Sequence, residues 1–235
     1  MGDGIYRSVD GGKNFKQLKS GTLQDLYRSP RNPDHIYCAG MTAAYGPQGS
    51  YQALALYRST DGGATWATTK ANSTSSYARA IAVDPVREKD IFMSYIDYAA
   101  GRYGLVKSSD GGATWKSVRT GALDYFEDLA FDPLDARRIY LCSYEGLYRS
   151  DDGGSGWMKV TGGTTDSVLI SGTSPQEIFV TQYDKVLRSR DQGKTWEKVD
   201  LGENQVHECM SLSYDEARKI LYIGTEGDGI IKKQL

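Results

Sequence analysis

Five polar residues occupy the same place in a series of related segments, each at the start of an apolar run. Gln24, Arg79, Glu127 and Asp166 align directly, and Glu208 aligns after a slip of one residue. If the segments repeat one structure, these side chains ring the mouth of a central opening. Carboxylates with a guanidinium can bind a cation, an amine or sugar hydroxyls, and a carboxylate pair is what glycoside hydrolysis requires. The alternative is that the opening is wet and tolerates polar side chains.

A second candidate site is basic. Arg79, Arg102 and Arg119 fall in one repeated segment, and we expect them to lie toward the same face. Three converging guanidiniums suit a carboxylate or phosphate ligand. Tyr125, which ends the connection containing Arg119, is a further candidate for ligand contact.

Two connections are longer than their counterparts in the other segments, at 41–53 and 95–104. Long connections on a rigid scaffold often carry binding residues, and tyrosine gives a broad contact area at low entropic cost. The tyrosines concerned are Tyr45, Tyr51, Tyr98 and Tyr103. These rings either contact a ligand or pack the connections onto the fold.

Composition excludes several functions. The formal charge is −2 and no run of Lys or Arg forms a basic stripe, so nucleic-acid binding is not expected.

The cysteines and histidines give no sign of a metal or catalytic site. Cys38, Cys142 and Cys209 lie in apolar runs and are predicted to be buried free thiols. The histidines, His35 and His207, have no nucleophile motif beside them. No metal site and no cofactor are predicted.

The chain shows no signal peptide and no apolar run of the roughly 18–20 residues that span a bilayer. We therefore expect a soluble chain without a membrane span, and the sequence assigns no compartment.

The elements that position these residues come from an internal repeat. The pattern Ser-x-Asp-x-Gly-x-Thr-Trp recurs in five segments, with Asn-Phe replacing Thr-Trp in the first and Gly156 replacing Thr in the fourth. The first residues of the segments are 51, 49, 42 and 39 positions apart. Each module reads as four short strands, here called A to D, with the motif at the C–D turn, where its serine and aspartate accept backbone N–H groups. This predicts an all-β propeller of about five four-stranded blades.

The structural residues of the five motifs are Ser8, Asp10, Gly12 and Phe15; Ser59, Asp61, Gly63 and Trp66; Ser108, Asp110, Gly112 and Trp115; Ser150, Asp152, Gly154 and Trp157; and Ser189, Asp191, Gly193 and Trp196.

These motifs resemble the Asp box of the Asp-box (BNR) β-propellers, which include sialidases, Vps10-type receptor ectodomains such as sortilin, xyloglucanases and photosystem II assembly propellers. The resemblance covers essentially the whole chain. It implies that the Asp boxes lie on the far side from the ligand face. The Arg-Ile-Pro segment that precedes the first Asp box of sialidases is missing, which argues against sialidase activity.

The two ends of the chain share the tetrapeptide GDGI, at 2–5 and 227–230. We expect residues 1–235 to form a single domain whose N-terminal D strand joins the C-terminal A, B and C strands, closing the ring. One C strand is then surplus. It is displaced, or exchanged with a second molecule in an oligomer, or the chain is a segment of a longer propeller.

Three functions remain open. The leading hypothesis is a non-catalytic scaffold that binds a protein, a peptide or a glycan through the face with the long connections. The second is a sialidase-like or xyloglucanase-like glycoside hydrolase with Glu127, Asp166 and Asp124 as candidate acid and base. The third is a structural fragment or building block without a ligand.

Overall fold

A computed structural model describes residues 4–46, 49–72, 74–121, 123–173, 176–202 and 206–235. These residues form strands and turns without a helix, which confirms the predicted all-β class. The strands are β1 (Gly4–Arg7), β2 (Lys16–Ser20), β3 (Leu23–Arg28), β4 (Ile36–Gly46), β5 (Gly49–Ser59), β6 (Ala67–Lys70), β7 (Ser76–Val83), β8 (Ile91–Asp97), β9 (Arg102–Ser108), β10 (Lys116–Ser117), β11 (Phe126–Phe131), β12 (Ile139–Ser143), β13 (Gly146–Ser150), β14 (Met158–Gly162), β15 (Val168–Ile170), β16 (Ile178–Gln182), β17 (Lys185–Ser189), β18 (Glu197–Lys198), β19 (Cys209–Asp215), β20 (Ile220–Thr225) and β21 (Ile230–Gln234).

Four sheets have four antiparallel strands in chain order, as a propeller blade requires. We call them blade 1 (β3–β6), blade 2 (β7–β10), blade 3 (β11–β14) and blade 4 (β15–β18). In each, the four strands are A, B, C and D. A two-stranded sheet, β1–β2, precedes them, and a three-stranded sheet, β19–β21, follows them.

The chain divides into two compact units, Met1–Arg119 and Thr120–Leu235. Unit 1 contains β1–β10 and unit 2 contains β11–β21. The strand β2 pairs with β1, and β21 pairs with β20. The blade count, the closure of the ring by the N-terminal strand and the single domain over 1–235 stay predictions.

The B strands form the centre of each blade. They are continuous apolar runs rather than alternating ones, which predicts burial on both faces. Every residue of β12 and β16 is buried. In unit 1, Tyr37 of β4 and Met93 of β8 belong to one hydrophobic cluster, and in unit 2, Tyr140 of β12 and Val180 of β16 belong to another. Neighbouring blades within a unit are therefore held together by B-strand side chains.

The Asp boxes are closed hydrogen-bonded turns at the C–D end of each blade. In blade 1, Ser59 Oγ donates to Asp61 at 2.8 Å and accepts the Gly63 N–H at 2.8 Å. The Thr65 hydroxyl, its N–H and Ser59 all donate to Asp61 and lower the pKa of that carboxyl to about 2. Trp66 then folds back so that its Nε1–H donates to the Gly63 carbonyl at 3.1 Å.

The boxes also touch the preceding sheet. Gly112 has a φ of 90°, and a Cβ there would lie 2.3 Å from Leu56 Cδ2 of blade 1. Arg149, the arginine before the box serine of blade 3, donates to the Gln192 carbonyl in the box of blade 4 at 2.7 Å. Arg7 makes the equivalent contact to Gly62 at 3.4 Å. Alternation along the strand predicts only that these arginine side chains point away from the core. It does not predict that they contact the neighbouring sheet.

A second link between blades lies in the A strands. Asp25 of β3 accepts its neighbour's N–H, from Leu26, and also the N–H of Ile81 in β7, at 2.8 Å. Both A strands have a register irregularity near this point, and as edge strands they present backbone N–H groups that no strand of their own blade pairs. Burial raises the pKa of Asp25. The carboxylate thus replaces a missing strand partner across two blades.

Unit 2 repeats this link, which we call the A-strand latch. Asp128 of β11 accepts the N–H of Leu129 at 2.7 Å, the N–H of Val168 at 2.9 Å and the hydroxyl of Ser167 at 3.0 Å. One carboxylate therefore serves three donors from blades 3 and 4.

We predict that Asp128→Ala destabilises the protein by about 3 kcal/mol, since a buried donor left unpaired costs about 1–3 kcal/mol and the change leaves Ser167 and Val168 without their acceptor. The urea midpoint and the melting temperature measure it. Asp200→Ala, which removes an exposed carboxylate of unit 2, is the control and should change the midpoint much less. Equal losses in the two variants would contradict the latch.

Candidate functional site at the B–C ends of the blades

Antiparallel order decides which connections lie together. Because A, B, C and D alternate in direction, the B–C turn of a blade lies at the same end as the start of A and the end of D. The A–B turn and the Asp box lie at the opposite end. We call the first the B–C end, and the predicted site residues belong to it.

In unit 1 the long connection at 41–53 takes the form of a strand extension. The strands β4 and β5 pair without interruption from Ile36 opposite Ser59 to Gly46 opposite Gly49, and residues 47–48 lie outside the described residues. Tyr45 near the tip is 85% exposed, whereas Tyr51 is half-buried. The ordered hairpin therefore presents one tyrosine to solvent.

The connection at 95–104 is built similarly. Asp97 at the end of β8 accepts the N–H groups of Ala99 and Ala100, each at 3.0 Å, and so fixes the turn. Tyr98 in this turn is 60% exposed, and its ring meets the ring of Tyr77 edge-on, with 6.5 Å between centroids. Tyr103 is half-buried in β9.

The three arginines all belong to unit 1. Arg79 is half-buried in β7, while Arg102 begins β9 and Arg119 lies in the D–A connection, both exposed. Their common place at the B–C end follows from the topology. Their convergence on one ligand stays a prediction.

Unit 2 presents a pair of tyrosines. The rings of Tyr125 and Tyr144 stack almost parallel, with 4.4 Å between centroids and 8° between planes. They are 42% and 51% exposed. Asp124 accepts the Tyr125 N–H at 3.0 Å where the backbone takes a φ of 60°, a region that costs energy for a bulky residue. We call Tyr125 and Tyr144 the tyrosine platform.

The same unit contains a group of interacting carboxyls, Asp166, Glu208 and Glu226, here called the acid trio. A hydrogen bond with Glu226, burial and the charge of Asp166 all raise the pKa of Glu208. Burial raises the pKa of Asp166, although the Tyr183 N–H donates to it. Its Oδ2 is shielded from solvent and accepts no hydrogen bond from the described residues. Asp166 and Glu208 therefore hold their protons more strongly than isolated carboxyls do.

The predicted five-residue opening is divided between the units. Gln24 and Arg79 lie in unit 1, whereas Glu127, Asp166 and Glu208 lie in unit 2. The Gln24 amide oxygen accepts from the Tyr77 hydroxyl at 2.8 Å. Within unit 2, the charge of Asp166 acts on Glu208; that the five residues ring one opening stays a prediction.

Other site residues escape the sequence reasoning. Tyr144 and Tyr183 begin the two shortest B–C turns, and Glu226 follows the end of β20. The length of the B–C connections points to 41–53 and 95–104, so this criterion does not identify residues in the short turns. The repeat does contain one clue, a tyrosine in the B–C turn of three blades, at Tyr98, Tyr144 and Tyr183. The structure shows that each of these side chains is at least half exposed.

Repeated four-stranded blades with Asp-box turns define the chain as an Asp-box β-propeller. Residues 187–198 match the family model described as BNR/Asp-box repeat. Residues 3–132, more than half of the chain, match the Sortilin-Vps10 model, described as "Sortilin, neurotensin receptor 3". The chain belongs to this family. None of the curated proteins matches it significantly.

Solved structures share the fold at low sequence identity. The GH74 xyloglucanase from Xanthomonas campestris has a TM-score of 0.73 at 18% identity over 99% of this chain and 41% of its own. YCF48 bound to D1 peptide has a TM-score of 0.59 at 14% identity over 90% of this chain and 64% of its own. A chain of a nidogen/laminin complex has a TM-score of 0.67 at 12% identity over 94% of this chain and 80% of its own.

The chain spans only 33% of an ancestral GH74 enzyme, which it matches at a TM-score of 0.67 and 17% identity. These likenesses confirm the predicted propeller fold. Among the described residues, no helix has the length and apolar character needed to cross a membrane.

The raised pKa of Asp166 determines whether removing its charge increases or decreases stability at a given pH. A carboxyl whose pKa is higher in the folded state stabilises the fold below its unfolded pKa, and this contribution is lost as pH rises through the folded pKa. Asp166→Asn stays neutral, so it should raise the urea midpoint at pH 8 and change it little at pH 3.

Asp200→Asn is the matched control of opposite sign. The Gly202 N–H and then Lys233 lower the pKa of Asp200, so this variant should be less stable than the parent at pH 8. A loss of stability at pH 8 in Asp166→Asn would contradict the account of the acid trio.

Proposed function

We propose that this protein is a non-catalytic scaffold that binds a protein or peptide partner through the B–C ends of its blades. The observation that carries this proposal is a set of tyrosines exposed on well-paired hairpins: Tyr45, Tyr98, Tyr144 and Tyr183 are 85%, 60%, 51% and 65% exposed. Tyrosine is enriched in binding surfaces because it offers a large, rigid and partly polar contact.

The two ends of a blade differ in how they are used. At the Asp-box end, the box atoms bond each other and the preceding sheet, so these residues serve stability. At the B–C end, tyrosines such as Tyr45 and Tyr183 remain largely exposed to solvent. The YCF48 structure with D1 peptide and the nidogen/laminin complex come from proteins of the same fold, which supports binding as a function this scaffold can perform.

A second candidate function is glycoside hydrolysis. The observation that favours it is the raised pKa of Asp166, whose charge acts on Glu208, because a raised pKa is what a carboxyl needs to act as a general acid. A solved relative is a GH74 xyloglucanase.

The binding proposal is tested by selecting peptides from a displayed heptapeptide library on the full chain and measuring their affinities by fluorescence anisotropy. We expect Tyr98→Ala or Tyr144→Ala to weaken the selected peptides at least tenfold, about 1.4 kcal/mol, while the fold is unchanged. Val86→Ala and Leu134→Ala, exposed by 49% and 58% at A–B turns, are the controls. Equal weakening by the controls would contradict the proposed surface.

The hydrolase alternative is tested with aryl glycosides and polysaccharides, including xyloglucan. We expect no turnover above that of a sample without the protein. Glu127→Gln and Asp166→Asn exclude contaminating activity. Turnover that disappears in either variant would replace the scaffold proposal with catalysis by these carboxyls.

A further inference from the structure

We infer that the tyrosine platform of unit 2 binds an arginine side chain of the peptide partner, with the guanidinium stacked on a tyrosine ring and paired with a neighbouring carboxylate. This inference rests on the proposed function, for which it names the chemistry of the partner.

The platform is preformed. Its two rings are already parallel and half exposed, and hydrogen bonds fix both backbones. Asp124 accepts the Tyr125 N–H, and the Thr164 hydroxyl donates to the Tyr144 carbonyl at 3.2 Å. Tyr125 keeps a φ of 60°. A flat ligand can therefore stack on an exposed ring face without reorganising the tyrosines.

A carboxylate lies next to the platform in the chain. Glu145 follows Tyr144 directly, and its side chain is 65% exposed. Its nearest cation, Lys159, lies 3.7 Å away and is itself 44% exposed, so water weakens this pair. The face of a tyrosine ring also attracts cations. The platform thus favours a positively charged group over a neutral or anionic one.

The segment that leads to Asp166 is fixed to the platform. The Thr165 N–H donates to the Ser143 carbonyl at 3.0 Å, which fixes the segment before Asp166 against the turn that carries Tyr144. A guanidinium supplies several N–H donors in one plane, so it can stack and pair with a carboxylate at once, whereas an ammonium cannot stack.

The probe is a blocked Gly-Gly-Arg-Gly-Gly peptide, titrated into the ¹⁵N-labelled full chain and followed by amide chemical shifts. We expect saturable shifts at Tyr144, Glu145 and Thr164. The same peptide with citrulline, which keeps the shape and loses the charge, should bind at least tenfold more weakly, and the lysine peptide should lie between them.

Variants locate the site. Tyr144→Ala should weaken the arginine peptide at least tenfold, Tyr144→Phe should retain most of the affinity, and Glu145→Gln should weaken it and reduce its salt dependence. Val86→Ala in unit 1 and Leu134→Ala in unit 2, both exposed at A–B turns, are the controls and should leave the affinity unchanged.

Equal binding of the arginine and citrulline peptides would overturn the inference, as would shifts at these amides with xyloglucan oligosaccharide and none with the peptide. If library peptides bind and depend on Tyr98 but do not require arginine, the inference fails and the scaffold proposal stands. If no peptide of either kind binds, both fail.

Discussion

The A-strand latch is the interaction on which the rest of this structure depends. An A strand is the edge strand of its blade, so every second backbone N–H points away from the sheet, and burying such a group unpaired would cost free energy. Asp25 and Asp128 solve this problem by accepting the N–H groups of Ile81 and Val168 from the next blade. Each latch fixes two neighbouring A strands to each other just below the turns of the B–C end.

This arrangement separates stability from binding along each blade. The Asp boxes close one end through hydrogen bonds such as those of Ser59 and Asp61, and arginines such as Arg149 extend that network to the next sheet. The latches and the buried B strands join neighbouring blades between the two ends. The remaining end is free to vary in length and side chains, which is why a hairpin of 11-residue strands and a two-residue turn such as Tyr183–Asp184 coexist on it.

Much of the fold can be read from the sequence because its signals are local and repeated. The Asp boxes mark every C–D turn, and the runs Ile-Tyr-Leu-Cys and Ile-Phe-Val-Thr mark buried B strands. The candidate site is harder to read. The repeat aligns Glu208 with Asp166, but the stacking of Tyr125 on Tyr144 depends on a backbone φ and a turn geometry that no residue pattern here encodes. The latch escapes as well, because a lone aspartate in an apolar strand gives no sign of its partner.

Native-state hydrogen exchange of the Ile81 and Val168 amides tests this account most directly. If the latches hold the blades together, both amides should exchange as slowly as those in the middle of the B strands, such as Leu141 and Val180, which open only when the whole fold opens. Exchange of these two amides as fast as that of an exposed turn, such as the one containing Tyr98, would show that the carboxylates do not hold them and would contradict the account.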